Sequence, residues 1–273
     1  VNLKARPNLN FTIGKQFVNF GGYEYYVNSI RVREFSEFNN LLTAYQAGIS
    51  GNWQVNPDHE LCFQIVNNRN GNDEDIYPTG LPEGTAKAKI PFMYTVNWNS
   101  YYLDKTLQLR YATAVGQQTR KRYSYYFTCG NTYEKGPLLT YLDVMYTRQG
   151  IDQHGVVSRL PGTPHTAMNT EYLSIIGDVD YRVHPQWNVY VKGAYETARV
   201  YKSNGDFRKG MYRRSWNAQS SVEFFPFKQL DLFVFVLYTY RGVILEKAAT
   251  RMGAIEPDTH RISLGLVYSI PVF

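Results

Sequence analysis

Hydrophobic and polar residues alternate with a period of two along most of this chain, and the last fourteen residues show the pattern at its clearest. In HRISLGLVYSIPVF, Ile262, Leu264, Leu266, Tyr268, Ile270 and Val272 alternate with Arg261, Ser263, Gly265 and Ser269, and the sequence closes on Phe273. A strand that is apolar on one face, small and polar on the other, and ends on an aromatic residue predicts the sealing strand of a transmembrane β-barrel. The same alternation predicts twelve strands, at about 9–16, 41–55, 59–67, 88–99, 104–115, 122–133, 137–148, 170–183, 186–199, 211–225, 229–241 and 259–272. Most are near the ~9–11 residues that cross a bilayer at a tilt.

The connections alternate in length. Short turns fall at Asn56-Pro57-Asp58, around Tyr101 to Asp104, at Glu134-Lys135-Gly136, at His184-Pro185 and around Pro226 to Lys228. Long connections fall near 17–40, 68–87, 116–121, 149–169, 200–210 and 242–258. This sorting predicts an all-β, antiparallel up-and-down barrel in a single domain spanning 1–273, with short turns at the periplasmic end and long connections outside. A soluble sandwich or propeller has no reason to sort its connections in this way.

Parity assigns the faces. Tyr45, Ile49, Trp53, Ile90, Phe92, Tyr94, Val96, Trp98, Leu107, Leu109 and Tyr111 point to lipid, as do Leu173, Ile175, Val179, Tyr181, Trp187, Val189, Val191, Tyr195, Trp216, Val222 and Phe224. The opposite parity carries Arg110, Asp143, Asp178, Asp180, Arg182, Lys192, Glu196, Glu223 and Arg261 among Gln, Asn and Ser. An unpaired charge facing the bilayer midplane costs ~2–4 kcal/mol, so that face must meet a wet lumen. The stretch Leu232 to Tyr240 is apolar on both faces, which predicts a lumen plug or a subunit contact. Phe273 falls in the register of Arg261, and a bulge or strand end at Pro271 is expected to return its ring to the outer face.

Composition fits this picture. The mean hydropathy is −0.40, and no run of eighteen apolar residues exists, so no transmembrane helix is expected. With 24 Tyr, 15 Phe and 4 Trp, aromatics make up 16%, enough for girdles at both membrane interfaces. The sequence starts at Val1 without a signal-peptide pattern, which predicts numbering from inside a mature or truncated chain. Cys62 at polar parity and Cys129 at apolar parity, on non-adjacent strands, argue against a disulfide.

The net charge of +6 is less informative than its placement. Stretches 116–122, 148–170, 199–214 and 241–261, all at the predicted extracellular end, hold fifteen Lys and Arg against five Asp and Glu. Such a mouth either concentrates anionic solutes or binds lipopolysaccharide phosphates. Asn72-Asp73-Glu74-Asp75 lacks the ordered spacing of a calcium loop, and the five histidines lack metal-ligand spacing. No metal site, cofactor or nucleic-acid partner is expected. No nucleophile elbow, phosphate loop or dinucleotide fingerprint is present either, so an enzyme is not expected.

The stretch LNFTIGKQFVNFGGYEYY resembles an element of the phosphate-selective porin O and P family, through Gly14, Lys15, Phe20, Gly21 and Glu24. QIVNNRNG, YTVNWN, MYTRQGID, HPQWNVYVKGAYETA and the terminal PVF extend the resemblance over nearly the whole chain, closest to the Bacteroidota branch. The resemblance implies a sixteen-stranded, trimeric outer-membrane barrel exported with a signal peptide, a constriction loop at 17–40, and uptake of phosphate along an arginine and lysine ladder. Against sixteen, the twelve strands seen here imply either about four strands missing on the N-terminal side, the favoured reading, or a smaller relative.

The expected function is a porin passing small hydrophilic solutes or ions by diffusion. Its pore-lining candidates are Arg31, Arg33, Arg110, Arg182, Lys192 and Arg261, tempered by Asp143, Asp178, Asp180, Glu196 and Glu223. A mixed wall of this kind is closer to a general diffusion pore than to an anion ladder. The alternative is a non-conducting barrel that binds partners in an outer-membrane assembly, its lumen filled by Tyr126, Tyr141, Tyr190, Tyr240 and the first loop.

Overall fold

A computed structural model describes residues 1–20, 22–26, 45–67, 77, 79–86, 88–89, 91–153, 155–160, 165–227 and 232–268. Thirteen strands form one antiparallel sheet in sequence order: β1 (Asn2–Arg6), β2 (Leu9–Phe17), β3 (Tyr45–Asn56), β4 (His59–Asn67), β5 (Phe92–Tyr102), β6 (Leu107–Thr119), β7 (Arg122–Lys135), β8 (Leu138–Ile151), β9 (Met168–His184), β10 (Trp187–Val200), β11 (Gly210–Phe224), β12 (Leu232–Leu245) and β13 (Thr259–Tyr268). Among the described residues, three single helical turns sit in the connections: α1 (Tyr23–Tyr26), α2 (Val156–Arg159) and α3 (Lys247–Thr250). Among the described residues no helix is long and apolar enough to cross a membrane.

The structure adds a strand to the expected twelve. β1 is five residues long and exposed throughout, with only Leu3 and Ala5 on its apolar parity, too short a pattern to register in the sequence. It pairs with β2 through Lys4↔Asn10 and Leu3↔Phe11. A second correction concerns 116–121. β6 runs to Thr119 and β7 begins at Arg122, so this connection is a tight turn rather than a long loop. Gly116 and Gln117 continue the ladder opposite Ser124 and Tyr123, and beyond them the buried Gln118 bonds the backbone of Ile151 on β8. Several other strands also exceed their predicted length, up to the 17 residues of β9. The remaining long connections alternate with short turns as expected.

Two-sided alternation holds across the sheet. One outward row runs through register pairs from Trp53 to Leu61, Trp98, Tyr111, Cys129, Val144, Ile175, Tyr195 and Trp216. Its neighbours Ile49, Tyr94, Val96, Val179 and Val191 are exposed apolar side chains, as a lipid-facing surface requires. The inward row beside it joins Asn52, Cys62, Asn97, Ala112, Thr128, Met145, Ser174, Glu196 and Ser215, and Asn97, Thr128, Ser174 and Ser215 among them are buried. Cys62 lies buried on the inner side and Cys129 on the outer, and both are free thiols.

At the end with the long connections, Asp152 ties down the segment before β9. Its carboxylate accepts from Ser158 N at 2.8 Å, Thr170 Oγ1 at 3.1 Å and Tyr172 Oη at 2.5 Å. Burial lifts this carboxyl above its ordinary range, and the donors around it pull the other way.

On β12 the two-faced apolar stretch separates cleanly. Val234, Val236 and Tyr238 are exposed outward, while Leu237 is buried inward, and Phe233 stacks on Phe225 with ring centroids 4.9 Å apart. Tyr240, expected in the lumen, pairs with the exposed Ala218 on the outer parity, and its ring lies tilted against His260 with centroids 4.9 Å apart. The terminal Phe273 and its bulge lie outside the described residues.

Candidate functional site

The segment after β2 turns inward onto the concave face. Phe17 and Tyr45 still pair across β2 and β3, but Val18 and Phe20 are fully buried. Asn19 N donates to Gln64 Oε1 at 2.6 Å on β4, and Asn97 Nδ2 of β5 donates to Asn19 Oδ1 at 3.2 Å. The Phe20 ring meets Tyr126 of β7 edge-on at 5.8 Å, and Tyr23 lies 4.8 Å from Tyr141 of β8. Glu24 forms an ion pair with Lys192 of β10. Only a curled sheet presents side chains of β4 through β10 to so short a segment.

The seat for this segment is built by a carboxylate and two glycines. Asp143 of β8 accepts Tyr23 N on one oxygen and Glu24 N on the other, both at 2.8 Å, which satisfies donors at the start of α1. Opposite Asp143 in the ladder stands Gly130 of β7. A Cβ on Gly130 would lie 2.7 Å from Asp143 Oδ1 and 3.0 Å from Gly22 Cα, so any larger residue displaces either the carboxylate or the chain above it. Gly22 is equally crowded by the Asp143 carboxyl. Here glycine allows backbone and wall to touch.

Both members of the Glu24–Lys192 pair are out of solvent, with side chains 0% and 1% exposed. Lys192 faces Asp178 across the β9–β10 ladder, and Asp178 faces Tyr141 across β8–β9. One row therefore carries Tyr141, Asp178, Lys192, Gln219, Thr239 and Arg261 from β8 to β13. The adjacent row carries Asn99, Arg110, Gly130 and Asp143. Arg110 Nε donates to Asn99 Oδ1 at 3.0 Å, and Asn99 Nδ2 in turn donates to Glu60 Oε2 at 3.2 Å.

Of the residues expected to line a pore, the structure gathers Arg110, Asp143, Asp178 and Lys192 around α1. Glu196 lies one step toward the long connections and accepts from Ser174 Oγ at 2.8 Å. Asp180, Arg182 and Glu223 lie toward the short turns. Glu223 accepts from Asn188 Nδ2 at 3.1 Å, and the Arg182 guanidinium lies 3.8 Å over the Phe225 ring. Arg261 is exposed on the edge strand β13. Arg31 and Arg33 lie outside the described residues, as does most of 17–40.

Glu24, Asn19, Gly22, Gly130 and the pair formed by Arg213 and Glu256 join the site without any role that strand parity predicts. Arg213 Nε and Arg241 Nη2 each lie 3.1 Å from a Glu256 oxygen, at the inner side of the mouth. Strand parity signals only strand residues. Glu24, Asn19 and Glu256 sit in connections, where no period announces them. A charged residue two positions beyond a glycine pair was the available signal for Glu24.

The described residues contain no group of His, Cys, Asp and Glu able to hold a metal ion. The arrangement instead offers polar groups along a concave wall, with an ion-paired segment seated on it.

Comparisons with known proteins place this geometry. The outer-membrane channel DcaP of Acinetobacter baumannii is similar, with a TM-score of 0.61 at 11% identity, over 96% of this chain and 72% of that one. A loop L8 deletion mutant of OmpT, an outer-membrane protein of Vibrio cholerae, superposes with a TM-score of 0.56 at 13% identity, over 96% of this chain and 76% of that one. The trimer form of OmpT gives 0.52 at 12% identity, over 95% and 75%. These likenesses establish the fold of outer-membrane barrels. A search of curated proteins finds no match. The family model for phosphate-selective porin O and P matches residues 1–270, and the chain belongs to that family of outer-membrane porins.

Proposed function

We propose that the chain forms the wall of a passive, non-enzymatic diffusion pore for small hydrophilic solutes and ions, anions such as phosphate among them. The observation that carries this reading is the sorting of the two faces. Asn97, Asn99, Asp143, Asp178, Lys192 and Glu196 sit on the inner face, while Ile49, Tyr94, Val96, Val179 and Val191 are exposed on the outer one. Charged side chains on one face and apolar ones on the other are what a wall between a wet lumen and lipid requires.

In this reading the segment beginning at Val18 forms the constriction expected at 17–40, with Arg110, Asp143, Asp178 and Lys192 at the narrow part. Glu196, Asp180, Arg182, Glu223 and Arg261 line the path on either side. The ion pair of Lys192 with Glu24 takes one cation out of an anion ladder, and the carboxylates beside it temper the rest, so selectivity is weak. The lipid-facing rows also accommodate assembly as a homotrimer, the form recorded for OmpT.

Planar-bilayer recording on the folded, detergent-purified chain tests the proposal. Step conductances with a small reversal potential in a salt gradient are expected. Absence of current from inserted protein overturns it in favour of a non-conducting barrel filled by Tyr126, Tyr141, Tyr190 and the first loop.

A further inference from the structure

The outer face carries a second charged arrangement that solute diffusion does not use. At the end with the long connections, on the lipid-facing side, Glu171 of β9 stands between Arg148 of β8 and Arg199 of β10, paired with each across its ladder. Glu171 Oε2 lies 3.3 Å from Arg199 Nε, and Oε1 lies 4.0 Å from Arg148 Nε. Tyr146 Oη donates to the same Oε1 at 3.2 Å, and the Arg148 guanidinium lies 3.9 Å over the Tyr201 ring. The carboxylate is 15% exposed, whereas the two arginine side chains are 49% and 44% exposed. Glu171 is thus enclosed by its partners and holds both guanidinium groups toward the surroundings.

We propose that Arg148 and Arg199, oriented by Glu171, form a docking site for a phosphate group of the glycolipid in the outer leaflet. Height supports this. On β10, Trp187 to Arg199 spans about 40 Å along the strand at ~3.3 Å per residue, which is roughly 30 Å of height at a barrel tilt. An apolar band is ~25 Å tall, so the arginines stand just beyond it. The rings of Tyr195 and Trp216, 5.9 Å apart, lie two steps of alternation below, where an interfacial girdle belongs. Charge supports it as well. Two guanidinium groups share one carboxylate, leaving a positive excess, and the arginine fork matches phosphate oxygens two at a time. The arginines face lipid and not the pore, which favours a headgroup phosphate over a solute ion. The site rests on the outer-membrane placement and not on conduction.

Native mass spectrometry of the folded chain, titrated with diphosphoryl lipid A, dephosphorylated lipid A and inorganic phosphate, tests the proposal. The parent is expected to retain diphosphoryl lipid A, and the double variant Arg148→Gln/Arg199→Gln to bind it at least about tenfold more weakly. Dephosphorylated lipid A should bind parent and variant alike, and equimolar inorganic phosphate should not displace the diphosphoryl lipid. Equal affinity of parent and double variant for diphosphoryl lipid A overturns the proposal, and displacement by inorganic phosphate reassigns the arginines to free anions and overturns the lipid assignment. Heat-modifiable gel mobility reports folding, and if the double variant does not fold, Arg199→Gln alone carries the comparison. Planar-bilayer conductance of the same preparation is expected to be unchanged, so failure of lipid binding and failure of the pore are read separately.

Discussion

Two carboxylates on opposite faces of this sheet each hold basic partners, and they do different work. Glu24 and Lys192 meet inside with side chains 0% and 1% exposed. Glu171 meets Arg148 and Arg199 outside, where the arginines remain nearly half exposed. The chemistry is the same, but the surroundings differ. Inside, desolvation makes each charge depend on its partner, so the pair fixes where a segment sits. Outside, water and headgroups screen the charges, so the clamp contributes little to stability and leaves its donors available.

The most damaging test of this contrast is Lys192→Met. It leaves Glu24 buried beside Asp143 and Asp178 without its cation, and a loss of about 3–5 kcal/mol is expected. Urea unfolding followed by tryptophan fluorescence measures it, and a variant as stable as the parent breaks the comparison. Adding Glu24→Gln to that variant should recover most of the loss, because no uncompensated charge remains from the pair. The double-mutant cycle gives the coupling directly. Next in size is Gly130→Ala, whose methyl meets Asp143 and Gly22 at less than contact distance. About 1–3 kcal/mol is expected from overpacking, with a larger or noisier single-channel current as α1 lifts from its seat. The smallest effect belongs to Arg199→Gln on the outer face. Stability should fall by less than about 1 kcal/mol, and less still in high salt, with conductance unchanged. A loss there as large as that of Lys192→Met would erase the distinction between the two faces.

Much of this was legible from alternation. Parity placed Tyr94, Val179 and Val191 outside and Asp143, Asp178 and Lys192 inside, because a period of two maps directly onto the two faces of a sheet. Five-residue β1 escaped, since two apolar positions in NLKAR do not establish a period. The turn at 120–121 is hidden because Gly116-Gln117-Gln118-Thr119 reads as polar loop, although Gly116 and Gln118 lie on the inner face, where polar and small residues are ordinary strand. Tyr240 was placed inside by a stretch that is apolar on both faces and therefore carries no parity signal. What the sequence could not announce is which wall residues meet which loop residues. Asp143 and Lys192 looked like two independent pore charges, and only the path of the chain through Gly22 makes both of them partners of one segment.

That path also sets an order of events during assembly. Each strand pairs with its immediate successor, so the wall grows by closing small hairpins whose ends are near one another along the chain. The segment at 18–26 is different: its bonds to Gln64, Asn97, Asp143 and Lys192 join residues separated by 45, 78, 120 and 168 positions. Contacts of such range form slowly, because the intervening chain must already be in place. The seat exists only once β10 has joined the sheet, so the inner segment, although it precedes β3 along the chain, finds its place after β3 through β10 are paired.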